Sequence, residues 1–218
     1  MTNDVSIKKL ILVPALITLA VTLLRLTGEL MNWSKALFNP AAGGGGALVG
    51  IAWLVPVFGI YFGLKLAGAG LAPAALGPAI GYSVLGFALV PALGFGAVKL
   101  GLSPQGFGFF ALFIVLGIVG AVIAYRAWPA LGRVLLAYGL AARVPVAIVM
   151  LVAILGSWGT HYDVAPPNLS AMNPIAKWLL IGLLPQLTIW IWFTIAAGLV
   201  FGAVAVAATG RARHPATA

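Results

Sequence analysis

"LILVPALITLAVTLLRLTGELMN", residues 10–32, decides the fold class. From Leu10 to Leu24 it carries no charge, and then Arg25 and Glu29 arrive within one helical turn of each other. A helix needs about 20 apolar residues to cross the hydrocarbon core of a bilayer. Five further runs of this kind follow, at roughly 47–68, 74–98, 106–128, 135–158 and 178–207. The pattern predicts an all-α polytopic bundle of about six transmembrane helices. The sixth run is long for one crossing, and Pro185 is placed to break it into an interfacial turn and a span. Stretch 129–143, "PALGRVLLAYGLAAR", reads as a segment that can begin as a surface-lying helix before the fifth span.

Composition leads to the same class. The chain is 63% hydrophobic and 7% charged, with mean hydropathy +1.15. Soluble domains carry about 25% charged residues, so too little charge is present here to cover a water-facing surface. The net charge of +9 therefore points to orientation and headgroup contact, and no nucleic-acid partner is expected. With no cysteine, disulfide and thiol chemistry are excluded. Lys8 and Lys9 followed by an apolar core resemble a signal peptide. Arg25 and Glu29 interrupt the run before any good cleavage site, so it reads as a retained first span. Backbone groups in lipid must be satisfied internally, and these continuous apolar runs fit helices, not a barrel of alternating strands.

Basic residues orient the bundle. With six spans, one side holds Lys8, Lys9, Lys65, Arg126, Arg133, Arg143, Arg211 and Arg213, and the other holds Lys35, Lys99 and Lys177. This bias predicts both termini in the cytoplasm, with a bacterial inner membrane as the expected location. Residues 1–209 form one transmembrane domain and 210–218 a basic cytoplasmic tail. Trp33, Trp53, Trp128, Trp158 and Trp178 fall near span ends and read as interfacial anchors; Trp190 and Trp192 lie deeper.

Glycine pairs at 59 and 63, 77 and 81, and 198 and 202 have the small-xxx-small spacing that brings helix backbones together. Besides packing within the bundle, they allow a homo-oligomer or a membrane-protein partner. "LVPVFG" at 54–59 recurs as "LVPALG" at 89–94, followed by "GLAP" at 70–73 and "GLSP" at 101–104. Pro56 and Pro91 then fall near the middles of the second and third spans, as in transporters with matched broken helices. "GGGG" at 43–46 lacks the Lys and Ser/Thr of a phosphate loop and reads as a hinge.

The chemistry-bearing residues are few. Thr18, Thr22, Arg25, Glu29 and Asn32, spaced by 4, 3, 4 and 3, share one helix face. An intramembrane charge usually faces protein or a water-filled cavity, so this stripe is expected to face the bundle. Within it, Arg25 precedes Glu29, the less favourable order for a helical pair, and a carboxylate near a helix C-terminus opposes the macrodipole. The partner of Glu29 is thus expected across the bundle. Loop 158–174, "WGTHYDVAPPNLSAMNP", lies on the same side and carries His161, Tyr162 and Asp163. Gln186 shares a face with Trp190 and Thr194, and Gln186 and Thr194 are candidates for interhelical hydrogen bonds. His161, Asp163 and Glu29 have no metalloenzyme spacing, no nucleophile motif accompanies them, and the sequence requires no cofactor.

Three classes follow from this reading. They are a non-enzymatic component of a membrane assembly, a small secondary transporter using the Arg25–Glu29 stripe, and an enzyme at the outer interface acting on a lipid-linked substrate.

Overall fold

The computed structural model describes residues 5–210. The tail expected at 210–218 lies, beyond Gly210, outside the described residues. The fold is an all-α polytopic helical bundle, with no strand among the described residues. Its elements are α1 (Ile7–Leu30), α2 (Leu54–Gly68), α3 (Leu76–Lys99), α4 (Phe107–Ala127), α5 (Pro129–Gly156), two short turns α6 (Pro174–Lys177) and α7 (Leu184–Leu187), and α8 (Ile189–Thr209). A π-helical stretch, Trp178–Leu183, joins α6 to α7, so Pro174–Thr209 forms one long interrupted apolar segment. That segment, α1, α3, α4 and α5 are each long and apolar enough to cross a membrane. The protein is therefore an integral membrane protein.

The second span departs from its expected length. Helix α2 has 15 residues, about 22 Å of rise. The remainder of the stretch 47–68 is non-helical and folds back beside Arg25. Pro56 thus lies in the first turn of α2 rather than at mid-span, where it removes no helical hydrogen bond. The repeated "GLAP" and "GLSP" have a plain local cause. Gly70 (φ 77°) and Gly101 (φ 92°) sit in the left-handed region just past α2 and α3. Leu71 N–H bonds Leu66 C=O and Gly70 N–H bonds Ala67 C=O; Leu102 with Ala97 and Gly101 with Val98 repeat the pattern. Both are Schellman caps followed by proline, so this part of the repeat encodes helix ends.

Segment 129–143 does not lie on a surface. Pro129 starts α5 directly after Trp128, a favourable first helical position. One helix of 28 residues then runs to Gly156. Leu131, Leu135, Tyr138 and Ala142 are buried along its inner face. Arg143, grouped with a loop on sequence grounds, lies in the middle of this helix at 3% exposure. Trp128 is likewise no headgroup anchor, being 1% exposed and donating from Nε1 to the Leu71 carbonyl. Trp33, Trp53 and Trp158 do stand exposed.

Glycines set the helix packing. A Cβ on Gly59 would lie 2.5 Å from Gly198 O, and one on Gly63 would lie 2.9 Å from Gly202 Cα. Helices α2 and α8 therefore touch backbone to backbone and run parallel. Gly86 meets Gly120 and Gly94 meets Phe113, so α3 and α4 are antiparallel. Thr18 meets Tyr138 low on α1, and Glu29 meets His161 at its end, so α1 and α5 are parallel. These directions suit a chain that reverses at every connection. Helix α8 packs against α2, α3, α4 and α5 and is the centre of the bundle. Leu12, Val13, Val115 and Ile148 are among many large apolar residues left exposed, as a lipid-facing surface requires.

Candidate functional site

Four of the five stripe residues are buried: Thr18, Thr22, Arg25 and Glu29. The lower two tie α1 to its neighbours. Thr18 Oγ1 donates to Pro14 C=O or shares a proton with Tyr138 Oη at 2.8 Å. Thr22 Oγ1 donates to Thr18 C=O, and its own carbonyl accepts from Tyr162 Oη at 3.1 Å. Asn32 leaves the stripe. Helix α1 ends at Leu30, and Asn32 is exposed in the left-handed region at φ 52°.

Arg25 and Glu29 bond each other and each reaches from α1 to a different loop. Arg25 Nε donates to Glu29 Oε1 at 2.8 Å, while Nη2 donates to the carbonyls of Asn39 and Gly44 at 3.2 and 2.9 Å. Glu29 Oε2 accepts from His161 N–H at 2.9 Å, and Oε1 lies 2.6 Å from His161 Nδ1. The pair therefore fastens two separate loops to one helix end. The inverted order is explained by those bonds, each made to a segment outside the helix.

The two loops are shaped to receive them. Gly43, Gly44 and Gly46 all have positive φ, near 70–75°. This glycine run is an ordered turn rather than a hinge. A Cβ on Gly44 would lie 2.7 Å from His161 Cδ2 and 3.2 Å from Arg25 Nη2, so a side chain there would displace the imidazole. In the other loop Asp163 turns away from Glu29. Its carboxylate accepts from Gly159 N–H, Thr160 N–H and Thr160 Oγ1–H at 2.7–2.9 Å. Arg25, Glu29 and His161 thus converge, and Asp163 acts beside them by fixing the turn that presents His161.

Burial pushes the His161 imidazole below its usual pKa, opposed in part by the Glu29 carboxylate. Its Nδ1–H faces Glu29, leaving the lone pair of Nε2 on the far side of the ring. Burial also raises the Tyr162 phenol pKa, which keeps it a hydrogen-bond donor.

Thr22, Arg25, His161 and Tyr162 line a cavity of about 360 Å³ between α1, α5, the glycine turn and the broken segment before α8. Its deeper wall holds residues that the spacing arguments did not connect. Arg143 Cζ stacks 4.4 Å from the centre of the Trp190 ring. Gln186, 7% exposed, donates weakly from Nε2 to Met150 Sδ at 3.7 Å, and its Oε1 has no partner. Thr194 bonds within its own helix, to Trp190 C=O, and makes no interhelical bond. Arg143 was legible in one respect: it stands inside an uninterrupted apolar run with no acid nearby in sequence. Among the described residues, no group of three His, Cys, Asp or Glu is arranged to hold a metal ion.

Compared with family models, with curated proteins and with solved structures, the chain has no match.

Proposed function

We propose that this protein is a small carrier that binds its solute in the cavity at the Glu29 end of the bundle. The observation that supports this reading is the meeting of Arg25, Arg143, His161 and Gln186, from four distant segments, on one cavity beside a discontinuous helix. Irregular backbone is tolerated at membrane depth where it lines a cavity, and carriers bind at such breaks. Here the breaks are the 43–53 segment and the π-helical run 178–183. The Pro56–Pro91 repeat has no part in this reading. An assembly component, the class that small loops and abundant small residues favour, needs no such cavity.

Both termini are assigned to the cytoplasm and the membrane to a bacterial inner membrane. With Arg143 inside α5, the basic residues still divide seven against three.

The carrier reading is tested with proteoliposomes on a solid-supported membrane. Steps of protons, sodium, chloride, amino acids, amines and carboxylates are applied in turn. A saturable, solute-specific response that disappears in Glu29→Gln is expected. Silence to every probe would overturn the reading. Stoichiometric protein partners after purification in mild detergent would favour the assembly component instead.

A second reading rests on the Glu29–His161 contact of 2.6 Å. A carboxylate holding Nδ1–H leaves Nε2 basic, the arrangement of a general base at an interfacial enzyme. Lipid extract incubated with protein and analysed by mass spectrometry should then change, and His161→Gln should abolish the change.

A further inference from the structure

Arg143 has no charge partner among the described residues. The chain has three acidic residues, and Asp4 lies outside the described ones. Glu29 is taken by Arg25 and His161, and Asp163 by its own loop. Nε of Arg143 is buried without a hydrogen bond, and the guanidinium stacks on the face of Trp190. Burying an ionised group unpaired is expensive, and a chain this apolar has no general use for one. Arg25 is neutralised by Glu29, so the cavity carries one uncompensated positive charge. Gln186 Oε1 adds an unfilled acceptor on the same wall.

A second cavity, of about 570 Å³, lies against the first. The two share Gly43, Met150, His161, Ile181 and Trp190 as a common wall. The second is mainly apolar, bounded by Phe107, Phe110, Leu169, Leu180 and Pro185. It contains no Lys, Arg, Asp or Glu.

We propose that the two cavities together bind a singly charged oxyanion carrying an apolar chain. The carboxylate or phosphodiester head sits on Arg143 and the chain lies along the Phe107–Leu169 groove; a hydroxyl carried by the head group, as in a glycerol phosphodiester, donates to Gln186 Oε1. Guanidinium is suited to this head because its planar fork presents two parallel donors to two oxygens. Trp190 keeps the fork in place by stacking on its face. The proposal rests on the carrier reading only in placing the ligand at the same site; it adds the ligand's charge and shape.

The test uses full-length protein in neutral detergent, with saturable binding of radiolabelled decanoate as the readout. Decanoate should bind, and decanol and decylammonium should compete at least about tenfold more weakly. Benzoate, which has the head without the chain, should also compete poorly. Competition by dihexanoylphosphatidylglycerol assigns the occupant to membrane lipid, and its failure to compete assigns it to a free amphiphile. Both results keep the oxyanion site.

Arg143→Gln should weaken decanoate at least about tenfold while leaving the ligand-free melting temperature unchanged or higher, because an unpaired buried charge is removed. An arginine that only supports the fold would lower it. Should that variant fail to fold, Leu169→Trp, which fills part of the groove that takes the chain, is the second probe, expected to weaken decanoate and leave the protein folded. No saturable decanoate binding, equal competition by decanol, or unchanged affinity in the variants would overturn the proposal. An amine or zwitterion carried in the flux screen alongside such a failure would leave the carrier standing without its anionic ligand.

Discussion

Glu29 is the residue on which the site's order depends. One carboxylate holds Arg25 on its own helix and both the backbone and the ring of His161. Breaking a buried pair by removing one partner typically costs 3–5 kcal/mol. Glu29→Gln should therefore destabilise by about 3 kcal/mol, read as a lower melting temperature in detergent. His161 gives this end of the bundle a pH dependence. It is faced by Arg25 and Glu29 from α1 and by Asp163 from its own loop. Folding holds its pKa below the ordinary 6.5, so as pH falls the unfolded chain takes up the proton first. The stability it contributes is present at pH 7 and above, and is lost as pH falls from 6.5 through the folded value. Melting temperature should drop between pH 7.5 and 5.5, and His161→Gln should flatten that slope. A wild-type profile that is flat or rises on acidification would contradict this assignment.

Among the helices, the glycine spacings are not equivalent. Gly59 and Gly198 meet across α2 and α8, whereas Gly77 and Gly81 have open space where a Cβ would go. Gly59→Val should cost about 3 kcal/mol by overpacking, measured by unfolding in mild detergent. Gly81→Ala should be neutral or gain roughly 0.5–1 kcal/mol, because alanine loses less backbone entropy in a helix. A large loss in Gly81→Ala would show that its face is covered. The same contrast marks what was readable in the sequence. Apolar run length found the long helices, and the spacing of Thr18, Thr22, Arg25 and Glu29 found the inward face of α1. Spacing could not separate a packed glycine pair from an open one, because that depends on which helix arrives opposite. Nor did it find the start of α5. The break between α4 and α5 is the single residue Trp128, buried rather than set at an interface, and three arginines nearby imitate a loop. Arg143, the residue most telling about the cavity, was hidden by that imitation.

For the molecule as a whole, the absence of cysteine makes its topology directly measurable. Single cysteines at exposed positions 35, 65, 103 and 170 can be labelled in intact cells with a membrane-impermeant maleimide. Lys35→Cys, Ser103→Cys and Ser170→Cys should react from outside, and Lys65→Cys only after lysis. The reverse pattern would invert the orientation, and a mixture would break the six-crossing count. Topology put the Glu29 end of α1 and the His161 loop on one side; their meeting depended on α1 and α5 packing together, which the sequence did not encode. Which side chains would close the cavity was not foreseeable, because Gln186 and Trp190 reach it through a π-helical irregularity that no periodicity encodes.

The central place of α8 has a consequence for how the protein is made. This helix follows all its neighbours in the chain, yet α2, α3, α4 and α5 are packed around it. While a ribosome is still completing it, the groove beside Gly59 and Gly63 has no occupant, and the Gly86 carbonyl has no Trp192 indole to meet it. The contacts of α2, α3, α4 and α5 with α8 can therefore form only after those four helices have been synthesised.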